Sequence, residues 1–448
     1  MTKFAPLPVT QGESSKVWQA LSALLPPRSP DCNYWWKLTG KQLAVLVDAA
    51  GYTVEKQYEA LLFHYHLIVP YLGPAPGPDG KYSWPSIFSI EGQPIEYSWK
   101  WNTATGKPVV RYTIEAKGHH TGTPMDPLNQ EATRELLHRL QRLMPGVVDL
   151  TWTNHLLATL YDHDRSKLEQ ENNGGKCLTT TVMVATELEP SGLSFKTYFV
   201  PRRLGQSVIQ IPLAVWKEAV AGICPENAAA AAVYDFLDGP EGALLSPFFL
   251  AVDNVKPEDS RLKFYFLSPH AKFSSIREIM TLGGRISISD ERLQDLQSLV
   301  AAVTSLKAQP FAEDAEPPLT DQDGPICDGA SAGESTFVPG CGYYFNIASG
   351  GQYPQIKLFV KLNTYGPGDL DMTGHITTWM ATHGRGQYCQ QFSSMLKYLC
   401  RDGQLGDKKG VYSYLSCMFK NDGKLEVTTY LKAETMFTCG RNGVAGEA

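Results

Sequence analysis

The 448-residue chain lacks several features that would assign it at once to a class of proteins. No apolar run is long enough to cross a bilayer as a helix, and the first residues, MTKFAPLPVTQGESS, lack the basic and apolar regions of a signal peptide. We therefore expect a cytosolic protein with no membrane partner. Its nine cysteines are an odd number with no CxxC pair, which favours reduced thiols over a disulfide framework or a zinc site.

The sequence also lacks a surplus of positive charge. Its formal net charge of -6 argues against a general nucleic-acid binder, so any cationic site has to be a local cluster. The chain contains neither paired aspartates in a DDxxD spacing nor a phosphate-binding GxxxxGK[ST] loop. Its 43% hydrophobic and 19% charged residues are typical of a globular protein with a large core.

The organisation of the chain is a repeated one, in which helical patterns are followed by a β-hairpin five times. A weak repeat of this kind predicts one closed architecture, and ten antiparallel strands would form a barrel without open edges. We predict an α/β fold in which helices surround a ten-stranded antiparallel barrel, as one domain over residues 1–448. Loose tails are expected at about 1–15 and 437–448, and a flexible loop at 309–333. The predicted hairpins are 93–101 with 108–115, 178–187 with 193–200, 247–252 with 259–267, 342–348 with 355–362, and 411–420 with 424–432.

The strand predicted at 259–267 has one apolar face and one unusual polar face. Alternation puts Leu262, Phe264 and Phe266 on one side. The other side carries Arg261, Lys263 and Tyr265, so cations and a phenol share one face. This combination suits a polyanion bound next to something flat or cationic.

The same alternation gives similar faces on the other hairpins. One alternative is that these basic residues point to solvent, which is the ordinary place for each of them taken singly. If they instead face the barrel interior, an anion such as a diphosphate has to balance them, and the tyrosine faces would stabilise a carbocation. The residues concerned are Arg111, Lys196, Arg261, Lys263 and Lys357, with Tyr198, Tyr265, Tyr414 and Tyr430; Tyr412 is expected on the same face as Tyr414.

Glu96 is the acid that the pattern places near an aromatic cluster, formed by Tyr97, Trp99 and Trp101. A carboxylate there could accept a hydrogen bond from an indole N–H or a phenol O–H and so increase the electron density of the ring. The alternative is a structural role as an ion-pair partner of Lys100 or Arg111, and the sequence leaves both open.

Several motifs together resemble the fungal aromatic prenyltransferases of the dimethylallyl tryptophan synthase family. The likeness extends over about residues 18–432. It rests on Tyr34-Trp35-Trp36, Gln57-Tyr58-Glu59-Ala60-Leu61, Leu72-Gly73-Pro74, Pro94-Ile95-Glu96, Thr121-Gly122-Thr123, Asp126-Pro127-Leu128-Asn129, Lys196-Thr197-Tyr198, Ser260-Arg261-Leu262-Lys263-Phe264-Tyr265 and Thr281-Leu282-Gly283-Gly284-Arg285.

The resemblance implies the ABBA barrel, built from five ααββ units, and a role for each site residue. The five cations resemble the diphosphate ligands; Tyr198, Tyr265, Tyr414 and Tyr430 resemble the tyrosines that shield the allyl cation; and Glu96 resembles the acid that holds the acceptor. We assign Phe359 to the shield, although a tyrosine is usual there, and Met183 and Thr113 to the acceptor pocket. Met183 stands where tryptophan-using members carry a lysine, which argues against free tryptophan as the acceptor.

We therefore expect a metal-independent transferase of fungal secondary metabolism that moves a dimethylallyl group from its diphosphate to an indole or to a fused phenolic polyketide. Its partners would be these two small molecules, and the protein would be a monomer or a homodimer. Two alternatives remain: a non-catalytic barrel that binds an anionic or aromatic ligand, and a transferase with a longer, geranyl donor.

Overall fold

The structure is a computed structural model that describes residues 16–88, 92–164, 166–168, 180–202, 212–304, 312–320, 339–400, 405–406 and 409–433. Both predicted loose tails lie outside the described residues. So does most of the predicted loop at 309–333, of which 312–320 is described.

Ten strands form a closed antiparallel barrel. The strands are β1 (Ile95–Lys100), β2 (Val109–Ile114), β3 (Val182–Glu189), β4 (Gly192–Phe199), β5 (Ser246–Asp253), β6 (Arg261–Leu267), β7 (Gly342–Ala348), β8 (Gln355–Lys361), β9 (Tyr412–Phe419) and β10 (Leu425–Lys432). Each strand pairs with its neighbours in sequence, and β1 pairs with β10 to close the ring. The predicted barrel is confirmed.

Helices occupy the segments between the hairpins and surround the barrel. They are α1 (Lys16–Leu24), α2 (Pro30–Trp35), α3 (Lys41–Ala49), α4 (Val54–Phe63), α5 (Glu131–Leu143), α6 (Thr151–Thr159), α7 (Leu213–Ala221), α8 (Ala228–Leu237), α9 (Phe273–Met280), α10 (Asp290–Val303), α11 (Leu362–Tyr365), α12 (Asp369–Thr382) and α13 (Cys389–Leu399). None of the helices within the described ranges is long and apolar enough to cross a membrane.

Side-chain caps define where some of these helices begin. The Thr53 hydroxyl accepts a hydrogen bond from the backbone N–H of Lys56 at the start of α4, and the Asn227 amide oxygen accepts one from Ala230 at the start of α8. Such caps satisfy N–H groups that have no partner inside the helix and contribute about 1 kcal/mol each.

The outer face of the barrel is apolar and packs against the helices. Phe264 and Phe266 of β6 contact Trp216 of α7, with ring centroids 5.9 and 5.5 Å apart, and Trp99 of β1 contacts Phe392 of α13 at 5.3 Å. Burying an aromatic side chain of this size stabilises the fold by about 2 kcal/mol. Since side chains alternate along a strand, this packing turns the polar faces towards the barrel interior.

Candidate active site

Strand register brings the site residues predicted from the sequence onto one face of the sheet. Residues directly opposite each other on paired strands point to the same side, and the pairs connect around the barrel. Examples are Glu96 with Thr113, Met183 with Tyr198, and Lys361 with Tyr414. The face shared in this way contains Glu96, Arg111, Thr113, Met183, Lys196, Tyr198, Arg261, Lys263, Tyr265, Lys357, Phe359, Tyr414 and Tyr430.

The barrel interior is open rather than filled by side chains. Thr113, Tyr198, Tyr265, Phe359 and Tyr430 all keep partial solvent exposure, although they face inwards. Eight strands enclose an interior that side chains just fill, so a ten-stranded ring is wide enough to leave a cavity. A separate surface pocket of about 540 Å³ lies beside the β7–β8 turn and contains none of the predicted site residues.

Charged side chains occupy the end of the interior at which the five hairpin turns lie. Asp253 at the end of β5 accepts hydrogen bonds from Arg261 Nε and Lys263 Nζ, both at 2.7 Å. Arg261 keeps 43% of its side-chain surface exposed, whereas Lys263 keeps 5%. The Asp253 carboxylate thus joins a cation at the rim of the barrel to one inside it.

Two further carboxylates pair with the remaining predicted cations. Glu187 accepts a hydrogen bond from Lys196 and lies 3.9 Å from Arg111. Glu426 lies 3.2 Å from Lys357 Nζ and also contacts two rim lysines, Lys100 at 3.0 Å and Lys420 at 3.2 Å. We call the five predicted cations and the three carboxylates the charged layer.

The charged layer perturbs the acidity of its own members. Burial raises the pKa of Glu187, but the charges of Lys196 and Arg111 outweigh it and hold the pKa well below its ordinary value. The pKa of Glu426 is likewise held below its ordinary value, because the charges of Lys357 and Lys100 outweigh the effect of its burial. Burial lowers the pKa of Lys263 to about 8, because the charge of Asp253 only partly offsets it. Glu187 and Glu426 are therefore ionised at neutral pH.

An arc of aromatic rings lies next to the charged layer, towards the other end of the barrel. Tyr265 contacts Tyr198 with ring centroids 6.0 Å apart, Tyr344 at 5.1 Å and Phe359 at 5.9 Å. Phe359 contacts Tyr430 at 5.8 Å, and Tyr430 contacts Tyr414 at 6.4 Å. We call these six rings the aromatic layer. Tyr344 was not among the residues predicted for it.

The two layers touch through cation–π contacts. The Arg111 guanidinium carbon lies 5.2 Å from the centre of the Tyr430 ring, and Lys357 Nζ lies 5.7 Å from the centre of the Tyr344 ring. Arg111 also donates a hydrogen bond to the Tyr430 hydroxyl at 2.6 Å and one to Ser98 Oγ at 3.0 Å. These contacts fix the ring faces and the cations relative to each other.

Glu96 lies near the helix-linked end of the interior, beyond the aromatic layer. Its Oε1 accepts a hydrogen bond of 2.7 Å from Ser413 Oγ. Burial raises the pKa of Glu96 to about 7, against the hydrogen bond from Ser413 and the charges of Arg111 and Lys432. The carboxyl group can therefore both accept and release a proton near neutral pH.

A β-bulge between β9 and β10 corrects the prediction for Tyr412. Thr429 pairs with Leu415 but Leu431 pairs with Tyr412, so the register shifts by one residue between them. Tyr412 points outwards, where its hydroxyl hydrogen-bonds with Thr373 of α12 at 2.5 Å, and it does not share the face of Tyr414. A bulge breaks the simple alternation from which that prediction was made.

Two residues predicted for an acceptor pocket lie close to Glu96 in the register. Thr113 stands directly opposite Glu96, and Met183 is opposite Tyr198 with 1% of its surface exposed. Across the described ranges, no group of three or more His, Cys, Asp or Glu side chains is arranged to hold a metal ion.

Both the sequence and the fold are similar to those of known proteins. A family model described as tryptophan dimethylallyltransferase matches residues 31–395. The chain is 53% identical to prenyltransferase anuH of Penicillium roqueforti, over 94% of this chain and 93% of that protein. It is 42% identical to xanthone prenyltransferase B of Emericella nidulans, over 96% of this chain and 93% of that protein.

A similar fold is found among solved structures. The crystal structure of AnaPT from Neosartorya fischeri matches with a TM-score of 0.76 and 23% identity, over 94% of this chain and 98% of that chain.

Proposed function

The chain belongs to the tryptophan dimethylallyltransferase family and is a prenyltransferase, and from that premise we propose that it transfers a dimethylallyl group from dimethylallyl diphosphate to a ring carbon of an aromatic secondary metabolite. The observation that carries this proposal is the order of groups along one barrel interior: a charged layer, an aromatic layer and then an isolated carboxyl group. In an alkyl transfer that begins with ionisation of the donor, these groups suit the diphosphate, the allyl cation and the aromatic acceptor, respectively.

In the first step, we propose that the charged layer binds the donor diphosphate. Among the described residues of this layer, five cations face three carboxylates, so positive charge exceeds negative charge by two. Arg111 and Arg261 can each donate two hydrogen bonds to phosphate oxygens. Cleavage of the allylic C–O bond leaves both electrons on the diphosphate, and the excess positive charge stabilises this leaving anion.

In the second step, the aromatic layer is proposed to stabilise the allyl cation and to keep water from it. The electron-rich faces of Tyr265, Tyr344 and Phe359 lie within about one ring diameter of each other, and each face attracts a cation by about 0.5–2 kcal/mol. Phe359 lacks the hydroxyl usual in the family, but a cation–π contact depends on the ring.

In the third step, the acceptor ring attacks the cation and Glu96 takes a proton. For a phenolic acceptor, a carbon ortho to the hydroxyl forms the new C–C bond while the O–H proton passes to the Glu96 carboxylate. The resulting dienone then loses its ring proton to water while Glu96 returns its proton to the oxygen, which restores the aromatic phenol and the Glu96 carboxylate. A group with a pKa of about 7 is well matched to both transfers.

We favour a fused phenolic acceptor over an indole amino acid. Tryptophan-using members of the family carry a lysine at the position of Met183, and the Met183 side chain cannot accept a proton. A phenol needs only the Glu96 carboxylate as its proton acceptor. A relative that covers nearly the whole chain is named a xanthone prenyltransferase, and a xanthone is a fused aromatic system. An indole-derived acceptor remains the second candidate, because Glu96 could equally accept a hydrogen bond from an indole N–H.

We also propose that the transfer needs no metal ion. Metal ions assist diphosphate departure by neutralising its charge, and the lysines and arginines of the charged layer can supply the same neutralisation. The cytosolic location, the monomeric or homodimeric state and the assignment of the chain to one domain stay predictions.

The test is to incubate the purified protein with dimethylallyl diphosphate and a panel of hydroxyxanthones, other fused phenols, tryptophan and cyclic dipeptides, with and without EDTA. We expect prenylated phenol and released diphosphate, unchanged by EDTA. Geranyl diphosphate in a parallel series tests the longer donor. The absence of product and of diphosphate release with every acceptor would overturn the proposal.

A variant separates the enzyme from a non-catalytic barrel that merely binds these ligands. Glu96→Gln keeps the size of the side chain and one oxygen that can accept a hydrogen bond, but it removes the carboxylate that takes up a proton. We expect a turnover loss of about 100-fold or more. An unchanged rate in this variant would exclude Glu96 from the chemistry.

A further inference from the structure

We propose that Ser413 is a positioning residue for Glu96, and that the β-bulge in β9 is the feature that turns its hydroxyl towards this carboxylate. The inference deepens the proposed function and rests on it, since it concerns the group to which that function gives the proton. Ser413 was not predicted from the sequence, because simple alternation turns it away from the face of Tyr414.

The register accounts for the unusual direction of the Ser413 side chain. Between the pairs Thr429–Leu415 and Leu431–Tyr412, two residues of β9, Ser413 and Tyr414, stand opposite one residue of β10. Consecutive residues of a regular strand face opposite sides, whereas a bulge can turn both to one side. Tyr414 faces inwards opposite Lys361, and Ser413 reaches Glu96 Oε1 at 2.7 Å.

The bulge is held from outside by helix α12. The Tyr412 hydroxyl hydrogen-bonds with Thr373 Oγ1, and the backbone N–H of Val411 donates to Asp369 Oδ2 at 3.1 Å. The Val411 carbonyl in turn accepts a hydrogen bond from the backbone N–H of Lys432 at 2.8 Å. The residues before Ser413 are thus fixed to a helix and to β10, which leaves its hydroxyl little freedom to turn away.

The hydrogen bond leaves half of the Glu96 carboxylate for a substrate. Within the described parts of the chain, Ser413 is the hydrogen-bond partner of this group, through Oε1, and no other side chain or backbone group bonds to Oε2. Holding one oxygen orients the plane of the carboxylate, so that Oε2 presents a fixed lone pair to an acceptor O–H. Orientation of this kind is a large contributor to proton-transfer rates.

The charged and titratable groups that face Glu96 come from three strands. They are Arg111 from β2, Lys432 from β10 and Tyr414 from β9. The two cations favour the ionised carboxylate, as does the Ser413 hydroxyl, while burial favours the neutral acid. Removing Ser413 alone therefore raises the pKa of Glu96 from about 7 and lets the carboxylate rotate.

The decisive measurement needs no substrate. Difference infrared spectroscopy follows the C=O stretch of protonated Glu96 during a pH titration of the full chain, and the band is assigned by its loss in Glu96→Gln. We expect Ser413→Ala to raise the midpoint of this titration by about one pH unit. Ser413→Thr keeps the hydroxyl and should restore the midpoint to that of the wild type.

Ser416 offers a matched control on the same strand. It also faces the barrel interior, opposite Phe359, and its fully buried hydroxyl has no hydrogen-bond partner among the described residues. Ser416→Ala removes the same atom from the same strand and should leave the Glu96 titration unchanged. A shift in this control as large as that in Ser413→Ala would show a general effect of deleting an interior hydroxyl, and would overturn the inference.

Kinetics then connects the hydrogen bond to the reaction. In Ser413→Ala we expect the acidic limb of the pH–kcat profile to move upwards with the infrared midpoint, kcat to fall about tenfold, and the KM for the prenyl donor to stay the same. An unchanged infrared midpoint in Ser413→Ala would overturn the inference while prenyl transfer by the wild type continued. No transfer by the wild type would instead overturn the proposed function, and the infrared titration would still decide whether Ser413 holds Glu96.

Discussion

Lys263 should make donor binding weaker at alkaline pH. Its pKa is lowered to about 8 by burial, against the charge of Asp253 at 2.7 Å. A group with this pKa is about nine-tenths protonated at pH 7 and about one-tenth protonated at pH 9. If the diphosphate binds the protonated form, its apparent Kd rises about tenfold over that range, which corresponds to about 1.4 kcal/mol.

The sign of the effect follows from the charge of the ligand. A bound diphosphate brings negative charge close to Lys263 and raises its pKa, so the lysine takes up a proton on binding wherever it was neutral before. At pH 8 this uptake is about half a proton. Below pH 7 the lysine is already charged in the free protein, and the affinity no longer depends on its titration.

Isothermal titration calorimetry with inorganic diphosphate measures both quantities. Titrations at pH 7, 8 and 9, each in two buffers of different ionisation enthalpy, give the Kd and the number of protons taken up. Inorganic diphosphate itself titrates in this range, so the wild type is compared with Lys263→Arg, in which the charge is permanent. The difference between the two proteins isolates the contribution of Lys263.

Two outcomes would refute this reasoning. One is the same pH dependence of Kd in the wild type and in Lys263→Arg. The other is a shift of the affinity loss to a higher pH in Asp253→Asn. The charge of Asp253 raises the pKa of Lys263, so this variant should instead lose affinity for diphosphate at a lower pH than the wild type.

Two further predictions concern the stability of the barrel and the fate of the cation. Glu187→Gln leaves Lys196 and Arg111 without their buried counter-charge and should lower the free energy of unfolding at pH 7 by about 3 kcal/mol in denaturant titrations. Because the pKa of Glu187 is held below its ordinary value, its stabilisation is complete above about pH 5 and is lost as the pH falls, so the variant should also show a shallower acid dependence. Tyr265→Ala should raise the ratio of dimethylallyl alcohol to prenylated product in liquid chromatography, since water gains access to the cation; Tyr265→Phe keeps the ring and should raise it much less, and equal ratios in both variants would show that the ring is not the shield.

The barrel and the faces of its strands could be predicted because both depend on local patterns. The alternation of Arg261, Lys263 and Tyr265 with Leu262, Phe264 and Phe266 is visible within one strand, and so are the turn residues between paired strands. Ten such strands with helices between them favour a closed barrel, because closure gives the backbone groups of every strand edge a hydrogen-bond partner.

The carboxylates of the charged layer were missed for a different reason. Asp253 comes to lie opposite Lys196 through the pairing of β4 with β5, and Glu426 reaches Lys357 of β8 across the intervening strand β9, so both contacts join residues that are far apart in sequence. Glu187 could have been found, because it is four residues from Met183 on the same face of β3. The cations on the strand faces do not by themselves indicate which acids balance them.

The bulge in β9 could not be predicted from periodicity. Nothing in Val411, Tyr412 and Ser413 marks the extra residue, which accompanies an outward hydrogen bond between the hydroxyls of Tyr412 and Thr373 of α12. Tyr344 was missed although its strand was predicted, since its neighbours Tyr343 and Phe345 are aromatic as well and alternation alone does not say which of the rings turns inwards.

All five hairpin turns lie at one mouth of the barrel, and the longer helical connections lie at the other. Chemistry common to every member of such a family can therefore remain in the rigid, short-turned half, while the opposite half accumulates insertions and exchanges without disturbing it. Protein engineers who wish to retarget the enzyme should shuffle the helical connectors and leave the turns untouched. Natural diversification of fungal metabolites could proceed in the same way, through changes in the helical connections.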